Sequence, residues 1–331
     1  MKALELNQEK ELMIVDAPVP KVKQGWVLVK LRTAALNHRE IWISQGLYPG
    51  LTLPCILGAD GAGVVEEVGD GVSRDWLGKE VILYPAYDWG HDANVPLKTF
   101  RVLGMPDPGT MAEYILVPES SLFQKPPHLS WDEAAAIPVA GVTAWRALFV
   151  HGKIEAGSRI LITGIGGGVA QAGLSLALAK GATVFVTSSS EHKISDAVSK
   201  GAEGGVNYKD EDWPSKLKEL SGGIDMVLDS SPAKNLDDYF RFLNYGGRIV
   251  VYGSTGSRHT TLNISKFFLR HIQFIGTTMG SPKDFSDLLE FMESHEIQPE
   301  VYKSFGLSEG IEAFEELKKG DQIGKIVLRI E

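Results

Sequence analysis

The amino-acid sequence predicts an α/β protein built from two domains, a doubly wound parallel sheet and a β-rich domain. Three observations carry that prediction. Residues 126–296 alternate short apolar runs with amphipathic stretches that end at glycine, the pattern of strands and helices taking turns. Residues 1–125 hold short β-rich runs broken by Gly and Pro, with no sustained helical period. Residues 297–331 return to a mixed pattern and close on "GKIVLRI", whose alternation reads as a last strand rejoining the first domain. The domains are therefore expected at 1–125 with 297–331, and at 126–296.

In the first domain "WVLVKLRTAAL", "GAGVVEEVG", "GKEVILYP" and "AEYILVP" are strands bounded by turn residues, and "HREIWISQG" is a short helix. In the second, "SRILITG" runs into a glycine cluster and then "VAQAGLSLALAKG", an amphipathic helix ended by Gly181. Strand "TVFVTSS", helix "EHKISDAVSKG", strand "GGVNY" and helix "DWPSKLKELSGG" follow. Strand "IDMVLDSS", helix "KNLDDYFRFLNYGG" and strand "RIVVYGS" come next, then helix "ISKFFLRH" and strand "IQFIGTTMG". Such alternation buries a parallel sheet between helices on both faces.

The chain of 331 residues is long enough for two domains with sizeable cores. A net charge of -9 argues against non-specific binding to nucleic acid or anionic membranes. The single cysteine, Cys55, excludes an internal disulfide and any cage of two or more thiolates. It lies in the apolar run "LPCILG" and reads as a small buried hydrophobe. The first residues lack the apolar region of a secretion signal, and no apolar run approaches the ~18 residues of a membrane span. A cytoplasmic protein without membrane partners is the expectation.

The most informative stretch is "LITGIGGGVAQAG", which follows a strand and opens a helix. Its spacing is Gly164-x-x-Gly167-x-x-Ala170, with Gly168 and Val169 completing the turn. A first glycine permits the tight turn, the next ones let backbone approach a pyrophosphate, and a small residue lets helix and strand pack closely. The helix N-terminus then offers N–H groups and positive dipole to the anion. Dinucleotide binding is the reading. NAD sites usually end the second strand on an acid that grips the ribose 2′-hydroxyl. Here that strand runs into Ser188, Ser189 and Ser190, with Lys193 close behind. Hydroxyls and a cation suit a 2′-phosphate, so NADP(H) is the expected cofactor. A capping box between Ser188 and Glu191 is the alternative use of the same residues.

With these motifs in place, the chain resembles the medium-chain dehydrogenase/reductase superfamily over essentially its whole length. The resemblance rests on "GADGAGVVEEVG", "GTMAEYILVP", "AAAIPVAGVTAWRAL", "ITGIGGGVAQAG" and the terminal "GKIVLRI". It implies a Rossmann domain and a GroES-like catalytic domain, and its glycine turn is closer to the quinone reductases than to the zinc alcohol dehydrogenases. Where the zinc enzymes carry Gly-His-Glu-Gly, this chain has Gly58-Ala59-Asp60-Gly61. The two cysteine ligands of the family fall at Asn37 and Ala140. The resemblance thus implies a site without catalytic zinc, since such a site needs three protein ligands. Residues 85–110, where the structural zinc lobe would lie, hold no cysteine. The family's relay hydroxyl falls at Arg39.

The same resemblance puts Asn37 near the nicotinamide and the substrate carbonyl, Thr143 near the cofactor phosphates and Tyr208 beside the 2′-phosphate. Thr143 reads equally as a helix N-cap and Tyr208 as a strand-end aromatic. Tyr48 and Tyr84 either line the catalytic cleft, where one donates a proton, or pack. Gly253, Ser254 and Thr255 follow one parallel strand, and Thr277, Thr278 and Met279 follow another, at the ends where dinucleotides lie. Gly324 and Lys325 resemble the segment that reaches the nicotinamide end. Residues 86–109 form a long loop of the kind that is often functional. Relatives of this type imply a homodimer joined through the last strand of the cofactor sheet, "IQFIGTT".

Two functions fit. One is a zinc-independent NADP(H) oxidoreductase that delivers hydride to a quinone, an enone or another carbonyl, with an NADP-dependent alcohol or aldehyde dehydrogenase as its variant. The other is a non-catalytic NADPH-binding sensor on the same scaffold.

Overall fold

The computed structural model describes residues 1–232, 236–255 and 259–330. The chain folds into two compact units, Met1–Ala140 with Ser281–Glu331, and Gly141–Gly280.

The second unit is a six-stranded sheet. Its order is Gly204–Asn207, Thr183–Ser188, Arg159–Ile162, Ile224–Asp229, Leu243–Val251 and Gln273–Gly276, and every neighbouring pair is parallel. Chain order therefore reverses at Arg159–Ile162, the first strand, which is where doubly wound sheets bind ligands. Leu161, Phe185, Val227 and Ile249 bury one face of the sheet against Leu217, Tyr239 and Phe242. One expected element differs. Residues 234 and 235 of the run 234–247 lie outside the described residues, and the rest is not one helix: a 3-10 turn, Leu236–Arg241, gives way to a strand already at Leu243. Phe242 and Leu243 are buried in the core, and the following Gly246 adopts φ +74°, so the backbone leaves helical geometry early.

The first unit is built on the strand Trp26–Ala35. It pairs antiparallel with Asp60–Val68 on one edge and with Lys325–Arg329 on the other, and also with Tyr114–Pro118. The C-terminal strand thus closes onto the N-terminal sheet, with Val327 opposite Ala35.

The compact units divide elsewhere than the composition changes at 125/126 and 296/297. Ser130 and Glu133 form a capping box that starts the helix Trp131–Ala136, whose Ala134 and Ala135 pack on Ala35, Ala62 and Val327. Ser281 and Asp284 start Pro282–Ser294 in the same way, and its Phe285 lies 4.9 Å from Phe123. A helix at the end of a β-rich sequence still belongs to the core that it covers. The segment 86–109 is likewise ordered by a strand pair, Ala86–Tyr87 with Arg101–Val102, and by buried Trp89, Leu103 and Met105.

One glycine of this unit, Gly104, answers to backbone crowding. Gly104 has φ +82°, and a Cβ there would lie 2.6 Å from both the nitrogen and the oxygen of Gly58. Alanine must then overcome both a left-handed backbone, about 1–2 kcal/mol, and a clash with main chain that cannot rotate away. Gly104→Ala is expected to lower stability by about 2–4 kcal/mol. Gly25→Ala, at φ +75° with nothing within 4 Å, should lose only the conformational part. Chemical denaturation of the two variants checks this; equal losses would refute the crowding account.

Candidate active site

The cofactor half is assembled at the C-terminal ends of the parallel strands. Gly164 takes φ +63°, and Gly167 is the N-cap of the helix Gly168–Ala179. The helical ladder opens with Gln171 N–H donating to Gly167 O at 2.9 Å, which leaves the earlier N–H groups of the first turn, on Gly168 and Val169, for a ligand. A Cβ at Gly167 would meet nothing nearer than 3.7 Å, so the turn is open where a pyrophosphate would approach. The residues fit a dinucleotide.

A buried carboxylate that local sequence patterns did not single out braces this turn. Asp229, at the end of its strand, is 0 % exposed. Its Oδ1 accepts from Thr163 Oγ1 at 2.7 Å and from Ser231 N at 2.8 Å, and its Oδ2 accepts from Tyr239 Oη at 2.6 Å. Burial pushes its pKa up, against the pull of those three donors. Thr163 directly precedes Gly164, so Asp229 fixes the start of the turn. The only signal in the sequence is an acid closing the strand "IDMVLD".

The other residues expected to contact a nucleotide follow strands of the same sheet. Ser188 ends its strand beside Asn207, and Tyr208 N–H donates to Ser188 O at 3.2 Å. Ser188 is buried, Ser189 exposed, Lys193 half-buried and Tyr208 48 % exposed. The capping box between Ser188 and Glu191 does not form. The helix starts at Glu191 with Ser190 as N-cap, Ser188 Oγ accepts from Ser190 N, and Glu191 accepts from Asn207 Nδ2 at 3.1 Å. Gly253, Ser254 and Thr255 follow their strand, and Thr255 N–H donates to Ser230 O at 3.1 Å. Thr277 N–H donates to Val251 O, while its buried Oγ1 has no partner; Thr278 is exposed and Met279 is buried with φ +52°. An orphaned hydroxyl at this end of the sheet is consistent with a ligand group. Thr143 is not an N-cap: it lies buried inside the helix Pro138–Trp145.

The second cluster lies wholly in the first unit, around the residue types that replace the family's zinc ligands. Ala59 and Ala140 are buried methyl groups. Asp60 is 0 % exposed and sits on the strand opposite Ala35. Lys325 is buried too, and its three donors are all engaged. Nζ lies 2.6 Å from Leu36 O, 2.6 Å from Asn37 Oδ1 and 2.9 Å from Asp60 Oδ2. Asn37 Nδ2 donates to the same Asp60 oxygen at 2.9 Å, and Asp60 Oδ1 accepts from Val139 N at 2.8 Å. Lys325 therefore turns its ammonium toward Asp60, Asn37 and the Leu36 carbonyl. Gly324, before it, has φ +94° against the Glu300 backbone. The pairing of Lys325 with Asp60 was not legible in the sequence.

A second ion pair adjoins the first. Glu40 is 0 % exposed, accepts from Asn37 N at 2.7 Å, and pairs with Arg39 Nη1 at 3.0 Å. Burial drives the Glu40 pKa up, and Arg39 opposes it. The Arg39 guanidinium also donates to Leu103 O at 2.7 Å and lies 5.0 Å from the ring centroid of half-buried Tyr48. Tyr84 is core: 2 % exposed, its ring 5.8 Å from that of Phe285. Cys55 is no nucleophile here, because burial raises its thiol to about 12.

This cluster does not fit a catalytic zinc. Two methyl groups, a carboxamide and a carboxylate already paired with an ammonium make no ligand set. Among the described residues, no three His, Cys, Asp or Glu side chains gather for a metal ion, and no helix is long and apolar enough to cross a membrane.

Comparison with known proteins identifies both domains. Residues 23–127 match the alcohol dehydrogenase GroES-like domain, and residues 168–294 match the zinc-binding dehydrogenase domain. The chain is 36% identical to the zinc-type alcohol dehydrogenase-like protein YogA of Leptosphaeria maculans, over 97% of this chain and 94% of that one. It is 28% identical to the quinone oxidoreductase of Rattus norvegicus, over 95% and 92% of the two chains. The crystal structure of an NAD-dependent alcohol dehydrogenase superposes with a TM-score of 0.93 at 34% identity, covering 100% of both chains. The chain belongs to the medium-chain dehydrogenase/reductase superfamily of oxidoreductases.

Proposed function

We propose that this protein is a zinc-independent, NADP(H)-dependent reductase of conjugated carbonyl compounds, quinones or enones. The observation that carries the proposal is the Asn37–Asp60–Lys325 network, which engages by hydrogen bonds one of the three positions where the resemblance places zinc ligands, the other two being the buried methyl groups of Ala59 and Ala140. Bound reduced nicotinamide would supply the hydride. The protein's part is to receive the negative charge that grows on the acceptor oxygen. Asn37 is only partly buried, and one Nδ2 proton remains after Asp60 takes the other. That N–H is the donor assigned to the oxygen. Removing a single donor of this kind commonly costs about 10²–10³ in turnover. A conjugated acceptor spreads its charge and needs less help than a simple ketone, for which a metal supplies several kcal/mol. Half-buried Tyr48 stays a candidate proton donor; the packing of Tyr84 makes it the weaker one.

The preference for NADP(H) rests on Ser188, Ser189, Lys193 and Tyr208 at the strand end. The carboxylate of Glu191 is tied to Asn207. A homodimer rests on the edge strand Gln273–Gly276, where Phe274 is exposed, as are Ile264, Phe268 and Leu269 of the helix that precedes it. An apolar edge of that kind is a hazard unless a second copy extends the sheet.

Lys193→Glu is expected to weaken NADPH binding tenfold or more, about 1.4 kcal/mol, with NADH less affected. Calorimetry decides: equal losses, or a wild-type preference for NADH, would overturn the cofactor assignment. Chelators should leave the activity intact, and enones or quinones should turn over faster than ethanol-like alcohols are oxidised. About one zinc per chain with activity lost on chelation and restored by zinc would sink the metal-free half. Rapid alcohol oxidation without enone reduction would sink the substrate half, and no NADPH consumption across the panel would favour the non-catalytic binding protein. In solution, light scattering should give twice the mass of the 36.1 kDa chain at micromolar concentration; a single-chain mass would reject the dimer.

A further inference from the structure

We infer that Lys325 and Asp60 are positioning residues that lock the Asn37 carboxamide in one orientation, so that it offers a ligand its N–H and not its carbonyl. This rests on the assignment of Asn37 to the reacting end of the site.

An asparagine side chain is ambiguous, because turning it by half a circle exchanges an acceptor for a donor. Here its two neighbours remove the ambiguity. Lys325 Nζ, 2.6 Å from Oδ1, can only donate. Asp60 Oδ2, 2.9 Å from Nδ2, can only accept while it is ion-paired with Lys325. A flipped amide would set N–H against ammonium and carbonyl against carboxylate, losing two charge-assisted hydrogen bonds at once. Neither neighbour can turn away. Lys325 is held by Leu36 O and Asp60 by Val139 N. Both side chains are at least 95 % buried, so water cannot substitute for either. The Asn37 backbone is fixed as well, since its N–H donates to buried Glu40. What remains variable is one proton on Nδ2. A group built in this way stabilises an oxygen that gains negative charge, and it provides no base to take a hydroxyl proton. The site is accordingly suited to a carbonyl acceptor, whose oxygen gains negative charge as hydride reaches carbon.

The test is a double-mutant cycle on kcat at saturating NADPH, with an enone or quinone as acceptor, across wild type, Asn37→Ala, Lys325→Met and the double variant. Each single change should lower kcat tenfold or more and leave NADPH affinity within about twofold. If Lys325 acts through Asn37, the double variant should be no slower than the worse single variant. Effects that multiply, or a Lys325→Met enzyme with wild-type kcat, would overturn the inference and leave the proposed reaction standing. An Asn37→Ala enzyme with unchanged kcat would sink both. If Lys325→Met does not fold, the pair Lys325→Met/Asp60→Leu removes both buried charges together and replaces it in the cycle. A readout that needs no turnover comes from NMR of protein labelled at asparagine nitrogen. One of the two Asn37 carboxamide protons, identified by its loss in Asn37→Ala, should exchange slowly in the wild type and fast once Lys325 is gone. Equal and slow exchange in both would count against the lock.

Discussion

Asp60 is the constraint on which the first unit depends. A carboxylate cut off from water needs partners for its oxygens, or it costs several kcal/mol. Those partners come from distant places in the chain. Lys325 lies on the C-terminal strand, Asn37 starts the first helix, and Val139 belongs to the helix Pro138–Trp145. The carbonyl of Asp60 also accepts from buried Thr110 at 2.6 Å. One side chain and its own backbone therefore tie together the central strand pair, the closing strand, the starts of two helices and the segment that holds Thr110. Breaking a buried pair by removing one partner typically costs about 3–5 kcal/mol, so the geometry around Asn37 is held by the stability of the fold itself.

The second unit repeats the device. Asp229 is again a buried acid at a strand end, and it holds the residue that introduces the phosphate-binding turn. In both units a glycine-bearing segment gets its shape from a neighbouring carboxylate. The glycines permit the conformations; the acids choose among them. The rest of the core can then be ordinary apolar packing, as it is behind the parallel sheet.

This division explains what the sequence disclosed. The order of strands and helices, the glycine turn and the absent zinc ligands are local or near-local patterns, and they were legible. Residues 236–247 differ from the helix expected of them because their apolar spacing suits a helix while their Gly-Gly pair and their burial favour a strand. The edges of the units were displaced because the helices Trp131–Ala136 and Pro282–Ser294 follow a change of composition, yet cover the β-rich core. Asp60 and Lys325 are 265 residues apart, and nothing in either neighbourhood announces the other. The motif that carries Lys325 is visible in the sequence; its partner is not.

Charge balance ties the network to the missing ligands. In zinc-bearing members of the family, a dication is offset by two thiolates and completed by an imidazole. Here those positions carry Asn37, Ala59 and Ala140, and none brings a charge. The remaining buried charges pair off as Asp60 with Lys325 and Glu40 with Arg39. The locus is neutral again, now by side chains alone. A dication added to it would stand beside an ammonium with no thiolate to offset it, and removal of Lys325 would leave an acid unpaired in a dry interior. With Asn and Ala at the ligand positions, the buried charges of this cluster are thus balanced by side chains.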